Sequence, residues 1–102
     1  MKVIAKDRQE GKTNDLVELS AKLEIPILCE SSIKREIVKK MAGKKNLEIP
    51  EPLCIDCRST GFRERLSRYD SIIVDDADLL LQKILGVKIT ALSVTTKEDK
   101  KL

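Results

Sequence analysis

The chain has no tryptophan and no histidine, and only one tyrosine and one phenylalanine among its 102 residues. Without histidine it lacks the commonest general base and the usual nitrogen ligand of zinc. With Phe62 and Tyr69 as its only rings, it cannot stack a run of bases. That argues against a single-strand binding module built on aromatic platforms. The core must be aliphatic, made of Ile, Leu and Val. No apolar run approaches the length needed to span a membrane, so no membrane partner is expected. Lys2, Lys6, Asp7 and Arg8 interrupt any secretory segment at the start. Three cysteines without such a segment read as reduced thiols of a cytoplasmic protein. Neither sign of charge dominates: 20 basic and 17 acidic residues leave a net +3, as on a mixed, solvated surface.

What is present reads as alternating strands and helices. Met1–Ala5 is a short apolar strand. Leu16, Val17, Leu19, Ala21 and Leu23 recur at helical spacing, giving a helix that ends near Glu24. Ile25–Cys29 is a second strand, with Pro26 tolerated at its start. Ser31 or Ser32 caps a second helix with Ile33, Ile37, Val38 and Met41 on its buried face and Gly43 as its stop. Leu53–Asp56 is a third strand, Phe62–Leu66 a short helix or loop, and Ser71–Val74 a fourth strand. Asp78 caps a helix over Leu79–Leu85 that Gly86 stops, and Val87–Val94 is a fifth strand. This alternation predicts an α/β fold, a small parallel sheet of about five strands with helices on both faces. The domain is expected over 1–96, with 97–102 as a charged tail.

Ligands bind such sheets at the carboxyl ends of the strands. Gly11-Lys12-Thr13 follows the first strand and opens the first helix. This is the arrangement of a phosphate loop: backbone N–H groups converge on phosphate, the Lys neutralises β/γ-phosphate charge, and the Thr hydroxyl ligands Mg²⁺. The full pattern is G-x-x-x-x-G-K-[ST], and Lys6 occupies its first Gly position. Asp75-Asp76 ends the fourth strand, where a phosphate-loop enzyme needs a carboxylate for Mg²⁺ and an acid for the attacking water. Asp75 suits the metal and Asp76 the water. Thr95-Thr96 ends the fifth strand.

Arg8-Gln9-Glu10-Gly11-Lys12-Thr13, then apolar strand and Asp75-Asp76, then Thr95-Thr96, resembles the ATPase core of phage large terminases and related superfamily-2-like helicase domains. The likeness spans roughly Val3 to Thr96. It implies a truncated, RecA-like phosphate-loop fold that takes ATP and Mg²⁺. It implies that Gln9, Glu10, Gly11, Lys12, Thr13, Asn14 and Thr95 hold the nucleotide. Thr13 and Asp75 would serve the metal, and Lys12, Asp76 and Arg8 catalysis. Asp76 stands where the family commonly has Glu, one methylene longer. It also implies that the fifth strand lies between the first and the fourth. The first strand is then an edge, to be covered by a second copy or a partner protein.

The expected activity is ATP·Mg²⁺ binding with weak hydrolysis. The alternative is a degenerate phosphate-loop domain that acts as an interaction or DNA-packaging adaptor. Direct nucleic-acid binding rests on basic positions between Lys34 and Lys45 and on Arg58, Arg63, Arg65 and Arg68, all interleaved with acids. Cys54-Ile55-Asp56-Cys57 is a lone C-x-x-C that reads as ordinary thiols, since a zinc site needs four ligands.

Overall fold

Apolar residues at helical spacing build helix α1, Lys12–Leu23, in a computed structural model that describes residues 1–5, 11–55 and 62–95. Gly11 starts α1 with a left-handed backbone, φ 74°. An added Cβ would meet only the Asn14 Cβ at 3.9 Å, so the constraint is the dihedral angle and not space. The helix ends on Glu24, also left-handed, whose N–H donates to the Ser20 carbonyl at 2.8 Å. The buried Ser20 hydroxyl then donates to the Ile25 carbonyl at 2.6 Å, which ties the helix exit to the strand that follows.

That strand, β1, covers Ile27–Cys29 and is buried throughout. Helix α2, Ser32–Lys44, is capped by the Ser31 hydroxyl, which accepts the Lys34 N–H at 3.2 Å. It runs one residue past Gly43. Strand β2 is Leu53–Cys54, helix α3 Phe62–Ser67, strand β3 Ile73–Val74 and helix α4 Ala77–Leu85. Gly86, at φ 75°, stops α4 as expected. Asp76 precedes α4, and Asp78 lies inside its first turn, where an acid complements the helix dipole.

The sheet is parallel, in the order β2-β1-β3, with Leu28 opposite both Leu53 and Val74. Successive strand residues point to opposite faces, and two cores result. Ile27, Cys29, Cys54 and Ile73 pack with Leu16 and Val17 of α1 and Val38 and Ala42 of α2. Leu28 and Leu53, with Val74 partly buried, pack on the other face with Phe62 of α3 and Leu80 of α4. Strands covered on both faces read as continuous apolar runs, which is why β1 was recognisable without alternation.

Three strands form among the described residues, against an expectation of about five. Met1–Ala5 and residues 87–94 are not strands. Each run is apolar enough for a strand but finds no ladder partner among the described residues. Ile4 instead packs against the first core, and Val87, Leu92 and Val94 stay exposed. Residues 96–102, including the tail and Thr96, lie outside the described residues. Among those described, no helix is long and apolar enough to cross a membrane. Cys54 is disulfide-bonded, which corrects the expectation of a reduced thiol there. Cys57 lies outside the described residues.

Cys29 is a free, fully buried thiol. Burial, reinforced by the nearby Asp75 charge, pushes it from 9.0 up to about 12. The unfolded thiol therefore ionises first, and the native state binds more protons in between. Stability falls as pH rises above 9, with a slope approaching about 1.4 kcal/mol per pH unit. Urea unfolding of the protein between pH 9 and 10.5 should show this slope, and Cys29→Ala should remove it.

Candidate functional site

The order β2-β1-β3 means that the chain leaves β1 toward one side of the sheet and returns to its other side. The gap between β1 and β3 is thus a topological switch point, where such sheets leave a crevice beyond their carboxyl ends. The Asp75 N–H donates to the Leu28 carbonyl at 3.0 Å and extends the ladder by one bond. This fixes Asp75 beside the end of β1. Asp76 follows with a left-handed backbone, φ 51° and ψ 56°, which turns the chain sharply into α4. Such a conformation costs a non-glycine residue about 1–2 kcal/mol, and Asp is among the few types that adopt it.

Helix α1 brings its first residues to this corner. The Thr13 hydroxyl donates to Asp75, 3.1 Å from Oδ2 and 3.4 Å from Oδ1. Lys12 Nζ lies 2.6 Å from Asp76 Oδ1. The first-turn amides of Lys12, Thr13 and Asn14 have no intrahelical acceptor and face along the helix axis. The sequence-predicted Gly11, Lys12, Thr13 and Asn14 are therefore together at one helix start, and Asp75 and Asp76 meet them.

Lys34 is the residue that sequence reasoning missed. In sequence it belongs to the basic run between Lys34 and Lys45, whose expected role is contact with nucleic acid. Instead its Nζ lies 3.1 Å from Asp76 Oδ2 and 3.8 Å from Asp75 Oδ2. The available signal was its position, three residues past a Ser cap at the end of a buried strand. Other members of that run are spent elsewhere: Lys39 pairs with Glu51 and Lys45 with Glu18, both at 3.3 Å.

The two carboxylates are electrostatically unlike. Asp75 is fully buried, and desolvation pushes its carboxyl upward. The Lys34 charge opposes this, the Asp76 charge adds to it, and the Thr13 hydrogen bond and Lys12 oppose it. Asp76 is also pushed up by desolvation, but hydrogen bonds from Lys12 and Lys34 outweigh that and hold it below the usual range. Desolvation works against the Lys34 cation too, yet Asp76 and then Asp75 raise it overall.

Arg8, Gln9 and Glu10 lie outside the described residues. Thr95 is exposed and ends no strand, so nothing brings it to this corner. Among the described residues, no group of three or more Asp, Glu, Cys or His side chains is arranged to enclose a metal ion. The oxygen donors Thr13 and Asp75 fit a hard cation that completes its shell with phosphate and water. No family model matches the chain, and neither curated proteins nor solved structures yield a match.

Asp76, held low, stabilises the fold above the ordinary carboxylate pKa and loses that contribution as pH falls through its lowered value. Replacing Lys34 by Met removes one of its two cations and leaves Asp75 more easily protonated. The Lys34→Met protein should be about 1–3 kcal/mol less stable than wild type near pH 6. Urea midpoints should show that gap closing toward pH 3. A gap independent of pH would mean that Lys34 contributes packing alone.

Proposed function

We propose that this chain binds a nucleoside triphosphate with Mg²⁺ in the crevice at the β1/β3 switch point. One observation carries the reading. Thr13 and Asp75, 62 residues apart in sequence, share a buried hydrogen bond, with Lys12 closing on the adjacent Asp76. A helix start with open amides, a lysine, a hydroxyl and a strand-end carboxylate is the donor set that phosphate and Mg²⁺ require together. The likeness to phage terminase and helicase ATPase cores, and a phage origin, belong to the same reading. The sheet order supports it by making this corner the switch point.

In this reading the first-turn amides of α1 and the Lys12 ammonium bind the terminal phosphates. Thr13 and Asp75 hold the cation, which when bound neutralises phosphate charge and orients the leaving group. Lys12 has two claimants, Asp76 and the phosphate. When it turns to the phosphate, Lys34 remains on the other Asp76 oxygen and keeps that carboxylate charged and in place. Asp76 then faces the position of an attacking water, but with the shorter reach of Asp, so hydrolysis is slow. The partner expected over a first-strand edge has no such edge to cover, because Met1–Ala5 is not a strand. Exposed Leu81, Ile84 and Leu85 of α4, with Val87, Leu92 and Val94 beyond it, support a second copy or partner protein over α4 instead.

A second reading is favoured by Asp76 itself, both of whose oxygens are taken by lysines. A relic domain with its lysine locked onto its own carboxylate would serve as a non-catalytic interaction or DNA-packaging adaptor. Isothermal titration separates the two. ATP·Mg²⁺ should bind wild type, and Lys12→Ala should abolish the heat. Absence of binding by a folded wild-type chain would leave the adaptor.

A further inference from the structure

A second cavity, of about 230 Å³, lies between the start of α2, the end of β2 and helix α3. Both aromatic residues of the chain line it, together with three arginines: Phe62 and Tyr69, Arg35, Arg65 and Arg68. In a chain with two rings in all, their meeting at one cavity is not what a scattered surface would give. Phe62 is buried and forms part of the second core, while Tyr69 is more than a third exposed.

Among the described residues, the charges at this cavity are poorly compensated. Glu51 is the one acid among the described residues that lines it, and it is already shared by Arg35, at 3.4 Å, and Lys39, at 3.3 Å. No ion pair involves Arg65 or Arg68 among the described residues. The Arg35 Nε–H is buried with no hydrogen-bond acceptor among the described residues, and a Glu36 carboxylate oxygen stays 3.7 Å away. A buried donor left without an acceptor costs about 1–3 kcal/mol, and such a group calls for a partner. Guanidinium groups are planar forks suited to phosphate, and aromatic faces suit a planar ring.

We infer that this cavity binds a mononucleotide unit, its phosphate held by Arg35, Arg65 and Arg68 and its base against Tyr69 and Phe62. The volume falls below the roughly 300–1,000 Å³ of pockets for larger ligands, so one base and one phosphate are the fitting occupant. The unit arrives either as a free nucleoside monophosphate or as one unpaired nucleotide of a strand; the recognition chemistry is shared. The site is separate from the Lys12–Asp75 crevice and does not depend on it. The two share only the first turn of α2, where Lys34 faces the crevice and Arg35 the cavity.

The ring resonances of Tyr69 and Phe62 report this cavity directly, because the chain has no other aromatic residue. The experiment follows them by NMR in the full-length Lys12→Ala protein, which silences the proposed phosphate crevice. Adenosine monophosphate, a short single-stranded thymidine oligomer and inorganic phosphate are titrated in turn. Adenosine monophosphate should give saturable ring shifts. Arg65→Ala and Arg68→Ala, both at exposed positions, should each weaken binding by roughly tenfold or more. A tighter oligomer supports the inference with a strand as source, and equal affinity supports it with a free nucleotide. Ring shifts that are absent, or insensitive to both arginine substitutions, overturn it. So does inorganic phosphate that binds as tightly as the nucleotide.

Discussion

A carboxylate removed from water must be compensated on the spot, and Asp75 is fully buried at the end of β3. Its compensation comes from three directions. The Thr13 hydroxyl reaches it from α1, Lys34 from α2, and its own backbone is held by β1 through Leu28. Four elements are thereby committed to one corner of the sheet. Replacing Asp75 with a smaller apolar residue would leave Thr13 without its acceptor and set both lysines on Asp76 alone. The geometry of the corner thus follows from satisfying a single buried charge.

The same corner explains the unusual backbone at Asp76. The chain must turn from β3 into α4 within a residue, and it does so through a left-handed conformation. Strain of this kind persists where its surroundings over-determine it. Here Lys12 and Lys34 hold the two carboxylate oxygens from two different helices. With a lysine on each oxygen, Asp76 keeps one cationic partner if either lysine turns away.

Much of this was legible in the residues. The runs at Ile27–Cys29 and Ile73–Val74 are apolar and bounded by polar turns, so the buried strands could be read. Ser31 and Gly86 marked helix ends by their chemistry. Gly11-Lys12-Thr13 and Asp75-Asp76 were paired by motif order, and they do meet. What was not legible depends on partners distant in sequence. Met1–Ala5 and Val87–Val94 carry strand-like composition, but composition does not supply a neighbouring ladder. Lys34 looked like one charge in a basic run because its partners, Asp75 and Asp76, lie about forty residues on and reach it only where β3 pairs beside β1; its place just past the Ser31 cap was the one local sign. Nor did the lone C-x-x-C reveal that Cys54 is disulfide-bonded.

The central claim is that the start of α1 and the end of β3 form one site for phosphate and a divalent cation. Paramagnetic relaxation tests it most directly, with Mn²⁺ replacing Mg²⁺ beside ATP. The account predicts that the amide signals of Thr13 and Asp75 broaden first, before those of any other carboxylate-bearing segment. Broadening centred on surface acids such as Glu18, Glu36 or Glu51, with Thr13 and Asp75 left sharp, would contradict it.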